Sequence, residues 1–151
     1  LRPGALPLSA LREALGEDGI EYGKQVDSAS AATPRVPGAL PAHYAPATPL
    51  EIHAMETLPE RATKLLDQGL RIALLRRNRT LRGVELPPSL PQFLLPARPE
   101  LYGRSLYARL RELDRFAFDC MLIEAPPDDE TWWAINDRLA RAAHGHPREL
   151  A

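Results

Sequence analysis

Apolar positions are unevenly spaced along this chain, and their pattern changes at about residue 50. Before that point they recur only briefly. Ser9 to Leu15 (SALREAL) places Leu8, Leu11 and Leu15 on one helical face, with Ser9 as N-cap and Gly16 as the stop. Glu17 to Ala32 is small and polar and reads as loop. After residue 50 the pattern alternates between strand-like runs and helical periods. Pro49 to Ala54 starts as a short strand, and Leu58 to Gln68 reads as a helix stopped by Gly69. Leu70 to Leu75 (LRIALL) is a nearly continuous apolar run, as a buried parallel strand requires. Arg76 to Arg82 reads as a basic, solvated turn. Val84 to Leu86 and Phe93 to Leu95 are short strand candidates between the breakers Pro87, Pro88 and Pro91.

The pattern continues with Pro99 to Phe116 as a long helix whose Tyr102, Leu106, Leu110 and Leu113 share a face. Pro99 suits the first turn, where its missing N–H costs nothing. Asp119 to Glu124 (DCMLIE) reads as a second buried strand. Asp128 or Asp129 caps a last helix to about Ala143, with Trp132, Ile135, Leu139 and Ala142 facing inward. Strands alternating with helices predict an α/β fold: a Rossmann-like three-layer domain with a mostly parallel sheet.

Between these two regions lies a segment of another kind. Thr33 to Leu50 holds Pro34, Pro37, Pro41, Pro46 and Pro49, with His43-Tyr44 in their midst. Proline fixes φ, removes a donor and forces its predecessor toward extended geometry. The expectation is a stiff extended linker presenting an imidazole and a phenol.

Composition narrows the classes. The chain has 151 residues, 44% hydrophobic and 26% charged, which suits one folded domain with an appendage. A formal net charge of -1 gives no bulk argument for nucleic acid or an anionic membrane. The single cysteine, Cys120, allows no internal disulfide and suits a reducing, cytoplasmic setting. It sits in an apolar strand and reads as an inert thiol. No apolar run is long enough to span a bilayer.

Local chemistry is sparse. Arg71, Arg76, Arg77, Arg79 and Arg82 form a basic cluster without interleaved aromatics, better read as a solvated turn than as a tRNA contact. His144 and His146 lack the further ligands of a metal site. Trp132 and Trp133 read as core fillers, and Asp137-Arg138 as a surface pair. Glycine-rich phosphate loops and nucleophile elbows are absent from the sequence, so the α/β pattern alone implies no dinucleotide site.

Five stretches carry a resemblance. The PGALPAHYAP segment resembles the interdomain linker of two-domain L-threonylcarbamoyladenylate synthases. Leu1-Arg2-Pro3-Gly4 resembles the close of that family's catalytic, YrdC-like domain. LYARLRELD (Leu106 to Asp114), IEAPP (Ile123 to Pro127) and WWAINDRLARAA (Trp132 to Ala143) resemble its C-terminal domain, in the same order. A serine is usual shortly before the His-Tyr pair, where this chain has Pro41-Ala42.

The resemblance implies a division into 1–16 as the tail end of the catalytic domain, 17–49 as loop and proline-rich linker, 50–146 as the C-terminal α/β domain and 147–151 as a tail. It implies a nucleotidyltransferase that makes threonylcarbamoyl-AMP and pyrophosphate from L-threonine, bicarbonate and ATP, for tRNA modification. ATP is then a substrate, accompanied by magnesium, and the C-terminal domain itself holds no cofactor. Arg2 and Tyr44 match ATP-contacting positions, since guanidinium and phenol suit phosphate or adenine, and His43 is a further linker-contact candidate. No catalytic or metal-binding residue is expected within the chain, which begins with Leu1 and reads as the C-terminal part of a longer enzyme, inactive alone. The alternative is a free-standing interaction module for tRNA, a partner protein or a second copy. Direct nucleic-acid contact is left open.

Overall fold

The structure is a computed structural model that describes residues 8–15 and 45–143. Four short strands alternate their side chains between two apolar layers. Strands β1 (Leu50–His53), β2 (Ile72–Arg77), β3 (Gln92–Leu95) and β4 (Cys120–Glu124) form one parallel sheet in the order β1-β4-β2-β3. On one face Leu50, Leu75, Leu95, Met121 and Ile123 pack against helices α3 (Pro99–Asp114) and α4 (Trp133–Ala143). On the other, Ile72, Leu74, Cys120 and Leu122 pack against α2 (Leu58–Asp67). A short helix, α1 (Leu8–Leu15), precedes them. The three-layer parallel α/β fold expected from the alternation is the fold observed.

Handedness explains which helix covers which face. The chain steps from β1 over β4 to β2, then on to β3, both in one direction across the sheet. Right-handed crossovers put both connections on one face, and the return step from β3 to β4 puts α3 on the other. The β2–β3 connection does this without a helix. Its Leu81, Val84, Leu86 and Leu90 pack beside α2. Val84 to Leu86 is therefore not the strand its sequence suggests. Its apolar side chains cover a sheet face, and the neighbouring Pro87, Pro88 and Pro91 lack the N–H groups a ladder needs.

Helix ends follow local chemistry in most cases. Helix α2 stops where Gly69 takes φ +78°; Gly69 N–H donates to the Leu66 carbonyl and Leu70 N–H to that of Leu65. That pair is the Schellman pattern, with Leu70 tucked against the core. Helix α3 ends at Asp114, two residues before the expected Phe116. Ser9 lies inside α1 rather than capping it, and its N–H donates to the Glu130 carboxylate. Asp129 accepts from Thr131 N–H and caps a 3₁₀ turn, Glu130–Trp132, that leads into α4. Asp137 pairs with Arg141 one turn on (2.8 Å), not with the adjacent Arg138, because i,i+4 positions share a helix face.

Tyr102 is wholly buried, and among the described residues its hydroxyl is the one buried side-chain polar atom without a hydrogen-bond partner. Burial pushes the phenol pKa up, the Glu124 charge adds to this, and Arg77 opposes it. A buried unmet hydroxyl costs about 1–3 kcal/mol. Tyr102→Phe should therefore leave stability unchanged or raise it by up to about that amount in thermal unfolding. A clear loss of stability would show that the hydroxyl has a partner in solution.

Candidate functional site at the linker anchor

The last residues of the proline-rich segment, from Ala45 onward, are tied to the α/β domain. Pro46 and Thr48 are buried, and Pro49 passes its carbonyl to Met121 N–H (2.8 Å) as the chain enters β1. Between them, Ala47 N–H donates to Asp114 Oδ2 (3.1 Å) and Thr48 N–H to Asp114 Oδ1 (3.0 Å). Both oxygens of one carboxylate thus grip two consecutive amides, which fixes the direction of the backbone as well as its position. Asp114 is the last residue of α3. A carboxylate there faces the negative end of the helix dipole, where a cation would be favoured by about 0.3–1 kcal/mol. Helix chemistry does not explain this aspartate, whereas the two amides do.

Tyr44 directly precedes Ala45 at the end of this anchored segment. Arg2, His43 and Tyr44 themselves lie outside the described residues, as do His144 and His146. Helix α1 is tied to the domain at a second place, through Ser9 and Glu130. Sequence reading passed over Asp114. The available signal was an acidic residue closing a helix, the wrong sign for that position.

The other charged constellation lies at the carboxyl ends of β4 and β2, where open α/β sheets usually take ligands. Connections from β1 and β2 leave toward the α2 face, and that from β4 toward the α4 face, so a crevice would open beside β4. Side chains of the chain itself occupy this place. Glu124, 1% exposed, accepts from Arg77 N–H (2.7 Å), from Arg77 Nη2 (2.6 Å) and from Arg79 Nη2 (2.7 Å). The Arg77 guanidinium also lies over the Trp132 ring, 5.5 Å from its centroid. Burial pushes the Glu124 pKa up, but the hydrogen bonds from Arg77 and Arg79 outweigh it, and the net shift is downward.

The basic cluster is thus not a solvated turn. Strand β2 extends to Arg77, and Arg77 and Arg79 serve Glu124. Arg76 donates to Gln92 and to the carbonyls of Arg77 and Arg79. The Arg71 side chain donates to the Phe116 carbonyl. Four of the five guanidinium groups make hydrogen bonds within the fold.

A smaller triad sits on β1. Glu51 accepts from Arg61 Nη2 (2.6 Å) and is in hydrogen-bond contact with His53 Nε2 (2.8 Å). The hydrogen bond from Arg61 lowers the Glu51 pKa, against its burial. Cys120 is buried, and that burial pushes its thiol up to about 12, far from a reactive thiolate. Among the described residues no three His, Cys, Asp or Glu side chains gather as a metal site would need, and no helix is long and apolar enough to cross a membrane.

Comparison with known proteins adds an independent line. A family model described as "Threonylcarbamoyl-AMP synthase, C-terminal domain" matches residues 7–144. The chain is 28% identical over 152 residues to the threonylcarbamoyl-AMP synthase of Pyrococcus abyssi, across 95% of this chain and 41% of the relative. It is 30% identical over 149 residues to that of Bacillus subtilis, across 96% and 41%. The chain thus spans about two-fifths of the length of these curated relatives.

Among solved structures, the crystal structure of P. abyssi Sua5 complexed with L-threonine superposes with a TM-score of 0.69 at 27% identity, over 95% of this chain and 42% of that one. A variant of the same protein, with consecutive histidine and tyrosine replaced by alanine, matches at a TM-score of 0.69 and 25% identity.

Proposed function

We propose a function that starts from the family, because the chain belongs to the threonylcarbamoyl-AMP synthase C-terminal domain family. It works as the C-terminal part of a two-domain synthase. That enzyme condenses L-threonine, bicarbonate and ATP into threonylcarbamoyl-AMP and pyrophosphate, which feeds tRNA threonylcarbamoyladenosine modification. The observation that carries this reading is the match over residues 7–144, which takes in the linker together with the α/β domain.

In this reading the pocket for threonine, bicarbonate and most of ATP lies in a catalytic domain outside this sequence, and magnesium arrives there with the nucleotide. Magnesium is accordingly placed with the nucleotide in that domain, and no residue of this chain is proposed to hold it. Arg2 would meet the phosphates, where a planar, permanently charged donor set is suited to them. The linker would lie over the pocket and bring Tyr44 to ATP, with His43 beside it. A stiff proline-rich backbone lowers the entropic cost of holding those groups in place. Covering the pocket would keep water from the carbamate formed on the way to product, and opening would release it. The reading gains support from the relative solved with L-threonine and from the variant of that relative lacking a histidine-tyrosine pair.

The test is a synthase assay on the two-domain enzyme. Tyr44→Ala should lower kcat/KM for ATP by about 100-fold, the scale of a misplaced binding contact. The 151-residue chain alone should form no threonylcarbamoyl-AMP. Product from the chain alone, or an unaltered kcat/KM in the variant, would overturn the assignment.

A further inference from the structure

We propose that the outer face of α3 and α4 is a docking surface for single-stranded RNA, formed by Arg104, Arg111, Arg115 and Arg138 and by the exposed ring of Phe116. The choice of RNA among polyanions rests on the proposed function, whose product feeds tRNA modification.

Uncompensated charge is the first observation. Arg104 and Arg111 on α3, and Arg115 at its C-cap, are exposed. At 3.6 residues per turn the three lie within about 40° of one line, and at 1.5 Å rise they span about 16 Å. Ala108, not an acid, is the exposed residue between the first two. Beside them on α4, Arg138 is half-buried, and a β-carbon on Gly103 would lie 3.3 Å from its Nη1. The bare glycine backbone thus admits this guanidinium against α3. Among the described residues, none of these four guanidinium groups has a hydrogen-bond or ion-pair partner.

The acids of both helices are engaged elsewhere. Glu100 lies 4.0 Å from Arg98, and Glu112 pairs with Arg109 (2.7 Å). Asp114 holds the amides of Ala47 and Thr48, and Asp137 pairs with Arg141 (2.8 Å). A chain of net charge -1 therefore keeps four unmatched cations on one face. Such a face suits a partner whose negative charges are closely spaced.

Phe116 separates RNA from an acidic protein. It directly follows Arg115 and is 49% exposed. Phe93 and Phe118 back its ring, with centroids 6.2 and 6.0 Å away, and Arg71 donates to its carbonyl (3.0 Å). The open side of the ring is then a preformed platform on which a base can stack. The carboxylates of an acidic peptide would gain nothing from it.

The test is fluorescence anisotropy of a labelled single-stranded RNA of about 20 nucleotides with the 151-residue chain, between about 50 and 200 mM salt. Replacing Arg104, Arg111 and Arg115 together with alanine keeps good helix formers on α3. It should weaken binding at least about tenfold and make the log–log salt slope shallower by about 2. Phe116→Ala should weaken binding about tenfold with the slope unaltered, because stacking releases no counterions. Lys64→Ala with Arg82→Ala removes two exposed cations from the opposite layer and should change affinity by less than about twofold. Thermal unfolding of each variant checks that the fold is kept.

An absence of RNA binding at the lowest salt would overturn the proposal. So would an equal loss in the Lys64 and Arg82 control, a silent Phe116→Ala, or displacement of the RNA by polyglutamate of equal charge. In the two-domain enzyme the triple α3 variant should keep kcat/KM for ATP within about twofold, since none of its residues is assigned to the ATP pocket. Failure of RNA binding thus leaves the synthase reading intact. If the synthase assay fails while the chain still binds RNA through α3, the function reading falls and the surface stands.

Discussion

Glu124→Ala is expected to destabilise the domain by about 3–5 kcal/mol in urea-induced unfolding, because it leaves Arg77 buried without its anion. The Glu124 carboxylate is 1% exposed and the Arg77 side chain 14% exposed, so solvent cannot take over the lost contacts. Arg79, 40% exposed, can turn to water and should contribute much less. Glu124→Leu combined with Arg77→Met should recover most of the loss, since removing both charges removes the uncompensated one. A single-variant loss below about 1 kcal/mol, the worth of an exposed pair, would show the cluster to be solvated.

The same cluster sets an acid dependence. The folded-state pKa of Glu124 is held below its ordinary value of 4.5. Its stabilisation is then complete above the unfolded-state value and disappears as pH falls through the folded one. Glu51 is shifted in the same direction, first by Arg61, and shares the effect. Glu124→Gln should therefore flatten, but not abolish, the loss of stability below about pH 4.5.

Trp132→Ala should cost a similar amount, about 3–5 kcal/mol, the usual range for removing a buried tryptophan. The indole is 5% exposed and meets Tyr102 edge to face, with ring centroids 5.3 Å apart and planes at 77°. It also carries the Arg77 guanidinium on its ring. Its loss opens a cavity between α3 and the sheet and removes the support under the Glu124 cluster. The two substitutions should thus be non-additive: a cycle of Trp132→Ala with Glu124→Gln is expected to give a coupling of about 0.5–3 kcal/mol. Trp133→Ala, at a partly buried position, should cost less. Equal losses at both tryptophans would contradict the packing described.

Several features were legible in the sequence because their causes are local. The period of Tyr102, Leu106, Leu110 and Leu113 predicts the buried face of α3, and those four residues are its buried ones. Gly69 marks the end of α2 because a left-handed residue is needed there. Unbroken apolar runs at Ile72 and Cys120 predict strands buried on both sides, and these lie at the centre of the sheet.

The sequence by itself therefore determined the fold class, most of the elements and, through its ordered motifs, the family. Tertiary structure alone decided what the charges do. Arg77 and Arg79 looked like a solvated turn because their partner, Glu124, is 47 and 45 residues away in sequence. Val84 to Leu86 looked like a strand because an apolar run does not reveal whether its backbone has a neighbour to pair with. Asp114 drew no notice because its partners are the amides of Ala47 and Thr48, 67 and 66 residues earlier. Backbone donors have no sequence signature, since every residue but proline carries one. Periodicity reports which side chains leave water. Only folding brings distant groups close enough for a charge or a hydrogen bond to matter.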